Sequence, residues 1–553
     1  MVATAQSTYN SMVSLWSARR ISILLTIVAL VLWSYSITQT KLNIDFYGLI
    51  HSFPVTFFLA LGILTIASAI LWVSKDNHEK LLFFQVSLLI VSLWLVPLLI
   101  GGSQPVAFHV QQKFTENVSP IIQRGYLSGG IWYHSWPAMW IEGAALLDVL
   151  GLHSSEVMIF LTPCLVQFLF LLPLYVFLRN TFGKGRNNYY WAGIWLFELA
   201  NWLEQNYFGP QAMALLLILM LLAILSRPLA SNDRVGTVNY TTGGDSIGIV
   251  LIFACLTVTH VLSSLVALIM IALVYIVNRK SMRLNLFILP AVFIVAWMVY
   301  QTTAFFESNI QTYMERAFRL DLTLWSDIFG GTSGSRGIAG SESHQVVSTI
   351  RIVTSAIFAS ITLIGMILSR WFKEKTLSDN TVMAIGTGVL LGLISGLYGM
   401  EMLQRSWFFF LPVVAYFGMK LLNHKVTTFA FCLLLLVSLP FHFISHYGNE
   451  AIDYFSRGYE AGLNYVSEVK QSSDYPFAIV NQINWEEGQL VFAKSFPQGK
   501  HYLAISRFYD SYYTFLYNRP DYVDSIWDWL YNSNSYDYIY ANPEFDLYIN
   551  QAR

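Results

Sequence analysis

Long apolar runs dominate the pattern of this chain. A helix that crosses a bilayer needs about 20 mostly apolar residues. On that ruler thirteen runs stand out: 20–38, 54–74, 81–101, 155–178, 189–204, 209–227, 246–260, 261–278, 284–305, 346–370, 380–400, 406–421 and 426–444. The runs 189–204 and 246–260 are short, and each forms a tight pair with its successor. The pattern predicts an all-α polytopic membrane bundle of about thirteen transmembrane helices, followed by a small α/β extracytoplasmic domain.

Between the runs, two segments are long enough for structure of their own. The 102–154 stretch holds a helix-like His109–Arg124 and an amphipathic Trp136–Leu150, the latter opened by Ser135 and Pro137 as cap and first-turn residues. The 306–345 stretch carries the run Gly330-Gly331-Thr332-Ser333-Gly334-Ser335, a composition suited to a lid that orders on binding. After residue 444 the character changes, and 16 of the 31 tyrosines fall in 445–553. There, Leu490–Ala493, His501–Ile505 and Tyr536–Tyr540 read as strands and Asp521–Tyr531 as a helix. The expected division is an N-terminal end with an added hairpin (1–80), a core (81–444) and a C-terminal domain (445–553).

Charge gives this bundle an orientation. With the N-terminus inside, every inner loop carries at least two basic residues, including Lys75, Lys80, Arg179, Arg227, Arg279, Arg283, Lys420 and Lys425, while the short outer connections hold only Arg405. By the positive-inside rule the N-terminus is cytoplasmic and 445–553 lies outside. Arg19-Arg20 ahead of Ile21–Ile37, with no small-residue cleavage site after it, reads as a retained first span rather than a signal peptide.

Composition agrees: 55% of the 553 residues are hydrophobic and only 12% charged, against about a quarter charged in soluble domains. The tail from Glu450 carries 14 acidic and 7 basic residues, hence −7. A net charge of −1 therefore leaves +6 on the rest, which is not the distribution of a nucleic-acid binder. The three cysteines, Cys164, Cys255 and Cys432, sit in apolar runs and read as small apolar residues.

Soluble-enzyme signatures are missing: there is no GxxxxGK[ST], GxGxxG, HExxH or GxSxG. Chemistry is left to carboxylates and cations at the membrane interface. Glu198 falls inside an apolar run, where an ionisable group is a functional candidate by default, and shares a helix face with Asn201 and Gln205; a polar contact between helices explains it equally well. Arg351 and Arg405 stand near the outer ends of their runs, as phosphate-binding forks or as headgroup anchors. The tail aromatics Trp485, Trp527 and Trp529 read first as packing residues and second as sugar-stacking ones. The outer histidines show no metal-ligand spacing.

The arrangement of a span, a long outer loop with two surface helices, paired spans and an outer C-terminal domain resembles the GT-C superfamily of membrane glycosyltransferases, which includes protein O-mannosyltransferases, aminoarabinose transferases and oligosaccharyltransferases. The segment Asn201-Trp202-Leu203-Glu204-Gln205-Asn206-Tyr207-Phe208-Gly209-Pro210-Gln211-Ala212, the region His109–Leu152 and Gln404-Arg405-Ser406 are similar to uncharacterised archaeal and bacterial members of this class. The resemblance implies a polyprenyl-phosphate-linked sugar as donor, a glycan, lipid or protein as acceptor, and a divalent cation such as Mg²⁺ as a candidate cofactor. It also implies an interfacial carboxylate at the start of the first outer loop. Gly101–His109 has none, so Glu116 becomes the first candidate, with Glu204 and Asp45 behind it. Donor binding falls by the same resemblance to Arg405, Arg351, Gln205, Tyr207, Gln211 and His109. Against a glycosyltransferase stand two alternatives: a non-enzymatic scaffold of the same fold, which the missing loop carboxylate would favour, and a lipid-linked-glycan flippase.

Overall fold

A computed structural model describes residues 17–550 except 103–110, 112–113, 116, 128–131, 153, 156, 184–186, 231–242, 280–281, 303–340, 372–376, 395–400, 451–453, 455, 473–476, 480–482, 487–488, 493–498, 508–513, 515–521 and 534. Each of the thirteen apolar runs is met by a helix. In chain order these helices are α1 (Ala18–Gln39), α2 (Val55–Trp72), α3 (Glu79–Leu99), α6 (Val157–Phe182), α7 (Asn187–Ala200), α8 (Pro210–Leu225), α9 (Gly243–Thr259), α10 (Val261–Val277), α11 (Asn285–Tyr300), α12 (Glu342–Trp371), α13 (Leu377–Ile394), α14 (Glu401–Lys420) and α15 (Lys425–Tyr447). Eight helices among the described residues are long and apolar enough to span a membrane, and α9, α10 and α11 are shorter apolar ones. Two short helices, α4 (Ser119–Arg124) and α5 (Ala138–Val149), lie between α3 and α6. The protein is a multi-pass membrane bundle.

Helix α1 turns its apolar residues outward and its small polar ones inward. On α1, Ile23, Leu24, Ile27, Val28 and Val31 are exposed, whereas Ser22, Thr26 and Ser36 are buried. Apolar positions meet lipid, so helices adhere through small and polar side chains. Gln85 of α3 donates to Ser22 Oγ (2.9 Å) and Thr26 Oγ1 (2.8 Å) and accepts from Ser68 of α2 (2.9 Å), joining three helices through one fully used amide.

At the centre stands α7, with every residue from Tyr190 to Ala200 buried. A helix apolar all round has no face for water. It packs on α14 where glycines permit close approach: a Cβ on Gly418 would lie 2.2 Å from Leu196, and one on Gly193 would lie 2.8 Å from Met419 Sδ. Its 14 residues span about 21 Å at 1.5 Å each, less than the roughly 30 Å hydrocarbon layer. The chain then runs through Asn201–Gly209 without regular helix, largely buried, before α8 begins at Pro210. Irregular backbone at such depth is tolerated only where protein or a polar cavity surrounds it.

The C-terminal part is α/β. Helix α16 (Arg457–Ser472) and α17 (Tyr522–Asn532) accompany strands β1 (Phe477–Ile479), β2 (Ile483–Glu486), β3 (Gln489–Phe492), β4 (Tyr502–Ser506), β5 (Tyr536–Asn542) and β6 (Phe545–Asn550). One sheet has the order β1-β4-β6-β5, with β1 and β4 parallel and the other pairs antiparallel; β2 and β3 form a separate hairpin. Tyr459 and Val466 of α16 cover Ala504, Phe545 and Leu547 of the sheet. The strands expected at 490–493, 501–505 and 536–540 and the helix at 521–531 are all present; α16, β1, β2 and β6 are additions to that expectation.

Candidate functional site

The site begins with a proline. Pro97 in α3 has no N–H to give the carbonyl of Leu93, four residues earlier. The helix answers with a π-turn at Val91–Leu95, in which Val96 N–H reaches back to Val91 O. The orphaned Leu93 carbonyl accepts from Tyr447 Oη at 2.5 Å. The wider turn also aims Trp94 inward. Its indole N–H donates to Glu198 Oε2 at 3.0 Å, and its ring lies edge-on to His442 and His446, with centroids at 5.6 and 4.8 Å.

The end of α7 leaves carbonyls without intrahelical donors, and side chains of other helices supply them. His442 Nδ1 donates to Leu199 O (3.0 Å), Trp407 Nε1 to Ala200 O (2.9 Å) and His446 Nδ1 to Trp202 O (2.9 Å). A carbonyl only accepts, so each histidine bears its proton on Nδ1 and keeps Nε2 as an acceptor, which in His442 is buried without a partner among the described residues. The unwound loop is therefore held from α14 and α15. Within it, Asn201 donates to Asn206 Oδ1 (3.2 Å) and to Gln167 Oε1 (3.4 Å), a polar ladder running from the loop into the bundle beside Glu198.

Three residues after Asn201 comes the charged part. Glu204 pairs with the guanidinium of Arg351 on α12, their side chains 18% and 15% exposed. Arg351 Nε donates to Ser445 O at 2.7 Å, and its terminal nitrogens lie 2.7 and 3.0 Å from the Asn449 amide oxygen when that amide is turned to face them. The guanidinium sits over the Trp202 ring at 5.6 Å. A cavity opens beside the pair, with Glu204, Asn206, Tyr207, His446, Tyr447 and Glu450 among its lining residues and about 40 Å³ of room for water-sized occupants. That is space for a few waters. A sugar would require its walls to part.

The sequence candidates fare differently. Glu204, Arg351 and Tyr207 come together here; Tyr207 stacks on Phe114 (5.6 Å), which stacks on Trp140 of α5 (5.5 Å). Gln205 is half-buried in the same loop. Gln211 opens α8, buried, with no hydrogen-bond partner for Nε2 among the described residues. Asp45 is elsewhere: it pairs with the exposed His51 in the α1–α2 turn. That turn touches the site only through its backbone, since Leu49 N–H donates to Tyr447 O (3.2 Å) and Gly48, at φ 70°, has no room for a Cβ against the same oxygen. Arg405 stands near the start of α14, within electrostatic reach of His260, and does not line the cavity. His109, Glu116 and the Gly/Ser run lie outside the described residues. Trp527 and Trp529 are engaged in packing: Trp527 donates to Asp546 (2.8 Å) under the Arg507 guanidinium, and Trp529 meets Tyr536. Trp94, Asn206, Asn449 and Glu450 were not singled out from sequence. The four-residue spacing of His442 and His446 at the end of the last apolar run was the available signal.

The donor set bears on a metal. No group of three or more His, Cys, Asp or Glu among the described residues could hold one. Of the two carboxylates lining the cavity, Glu204 already faces a guanidinium. These residues do not fit a divalent cation.

No protein-family profile and no curated protein matches the chain. Among solved structures, the fold is similar to the Archaeoglobus fulgidus oligosaccharyltransferase in complex with Zn and sulfate (13% identity, 70% of this chain and 55% of that one, TM-score 0.45). It is similar to the same organism's AglB in complex with an inhibitory peptide and a dolichol-phosphate (11%, 71% and 58%, TM-score 0.45). ArnT from Cupriavidus metallidurans bound to undecaprenyl phosphate matches at 10% identity over 85% of this chain and 98% of that one, TM-score 0.46. The chain thus spans little more than half the length of the archaeal enzyme.

Proposed function

We propose that this chain is a GT-C-type membrane glycosyltransferase that moves a sugar from a polyprenyl-phosphate carrier to a glycan, lipid or protein acceptor at the outer membrane face. The observation that supports it is the Glu204–Arg351 pair beside a cavity on an unwound, side-chain-capped loop. Transfer from a lipid phosphate needs a base for the acceptor and a fixed cation for the leaving group. In this reading Glu204 takes the proton of the acceptor hydroxyl while the oxygen's electron pair forms the new bond to the anomeric carbon. The bond from that carbon to the phosphate oxygen breaks with its pair, and the charge gathering on the departing lipid phosphate falls to Arg351. The N-terminus is cytoplasmic, and 445–553, with the 1–80 and 81–444 divisions before it, forms an outer domain.

A second reading, a lipid-linked-glycan flippase, draws on the break between α7 and α8 and on the buried ladder of Gln167, Asn201 and Asn206, since transporters bind at interrupted helices. Assay separates the two. The chain in nanodiscs, supplied with polyprenyl-phosphate-linked sugars and membrane acceptors, should release or transfer labelled sugar. Glu204→Gln should lower turnover by about 10²–10⁴-fold, the usual worth of general-base assistance. Transport of intact donor without bond cleavage, or full turnover in Glu204→Gln, would sink the transferase reading with Glu204 as base.

A further inference from the structure

The Arg351 guanidinium already holds an anion, and that anion is part of the chain. Its Nε is fixed by Ser445 O, and Ser445 is tied in turn by Thr354 (Oγ1 to Oγ 3.1 Å). With the Asn449 amide facing it and Trp202 beneath, the guanidinium plane has one orientation. Its contact with Glu204 is from one terminal nitrogen to Oε1, and a phosphate oxygen accepts such a charge-assisted hydrogen bond as a carboxylate oxygen does. Building on the reading above, we propose that Glu204 is an internal occupant of the Arg351 seat, that the phosphate of a lipid carrier displaces it, and that the exchange frees the carboxylate into the cavity.

Three observations carry this. The pair is reachable: its side chains are 18% and 15% exposed, whereas the other well-buried ion pair described, Lys420–Asp379, is at 8% and 2%. Glu204 sits on non-helical backbone, so its side chain can swing without breaking a helix, while Arg351, in the body of α12, stays. The displaced carboxylate also has somewhere to go, because Glu204 lines the same cavity as Glu450. One event thus seats the donor and prepares the base, and without a donor the base stays neutralised.

The exchange predicts a binding change of unusual sign. A seat open about a tenth of the time lowers apparent affinity about tenfold. Removing the charge of Glu204 should therefore tighten phosphate binding even as it abolishes turnover. The measurement is binding of labelled undecaprenyl phosphate to nanodisc-embedded wild type, Glu204→Gln, Glu204→Ala and Arg351→Lys, with inorganic phosphate in parallel. Thermal unfolding of each variant identifies any that fails to fold, and the two Glu204 replacements stand in for one another. About tenfold tighter binding of the lipid in the Glu204 variants, absent in Arg351→Lys, supports the exchange. If inorganic phosphate gains equally, the seat takes phosphate from any source and the lipid assignment is overturned. If wild type binds the lipid but the Glu204 variants bind it no better, the exchange is wrong and the proposed function stands. If wild type binds no lipid phosphate at all, both fall.

Discussion

Tyr447 fills a gap that Pro97 makes, and the pair explains a helix irregularity as chemistry between two residues far apart in the chain. Tyr447→Phe keeps the ring against Phe443 and His446 but leaves the Leu93 carbonyl without a donor. A buried unmatched polar group costs about 1–3 kcal/mol, so the melting temperature in detergent should fall. Pro97→Ala added to Tyr447→Phe should recover part of the loss, because the new N–H can close the bond; a melt unchanged by Tyr447→Phe would remove the bond from the account. At this scale the sequence says which groups are costly, not which ones meet. Glu204 and Arg351 could each be picked out as an interfacial charge, but they lie 147 positions apart. Nothing in either neighbourhood encodes that distance. Asn449 and Glu450 were hidden for a different reason: past the last apolar run, polar residues are ordinary.

Elements were far more legible, because a lipid environment imposes length and apolarity on each span. All thirteen runs became helices, with ends shifted by a few residues where polar turns extend or cut them. The largest physical surprise is α7, whose apolar run continues through Trp202 and Leu203 although the helix stops at Ala200; caps from α14 and α15 decide that end, and a run of hydropathy cannot register them. Strand β6 could have been seen, since Phe545, Leu547 and Ile549 alternate with Asp546, Tyr548 and Asn550 in period two. Toward the basic end of the bundle, Asp379 of α13 pairs with Lys420 of α14 (3.1 Å) and accepts from Tyr416 (2.6 Å) and from Ser369 of α12 (2.7 Å). Removing one partner strands a buried charge, about 3–5 kcal/mol, whereas an apolar pair of similar size is often neutral. Asp379→Leu and Lys420→Met alone should therefore lower unfolding temperature sharply, and the double variant should stand well above either. Strictly additive losses would show that the two charges do not act as a pair.

For the molecule as a whole, the two ends of the bundle differ in kind. The connections near Lys75, Lys80, Lys420 and Lys425 are closed by side-chain locks: Asn188 alone bonds the carbonyls of Leu71, Ser74 and Asp76 and the N–H of His78. Glu204, Glu450 and the cavity occupy the other end. In the orientation expected from charge that end faces outward, and labelling can check it. With Cys164, Cys255 and Cys432 replaced by alanine, Tyr531→Cys should react with a membrane-impermeant maleimide in intact cells, and Lys75→Cys only after lysis; the inverse would turn the site toward the cytoplasm. The buried state of α7 has one more consequence, for how the protein is made. A helix this short, carrying Glu198 in its last turn, gains little from entering lipid by itself, since too few apolar residues remain to span it and a buried acid opposes insertion. Its favourable surroundings are the face of α14 around Gly418 and the capping side chains of α14 and α15, all translated much later. During biosynthesis α7 is thus a segment in waiting, and the loop that follows it acquires its shape among the last parts of the chain.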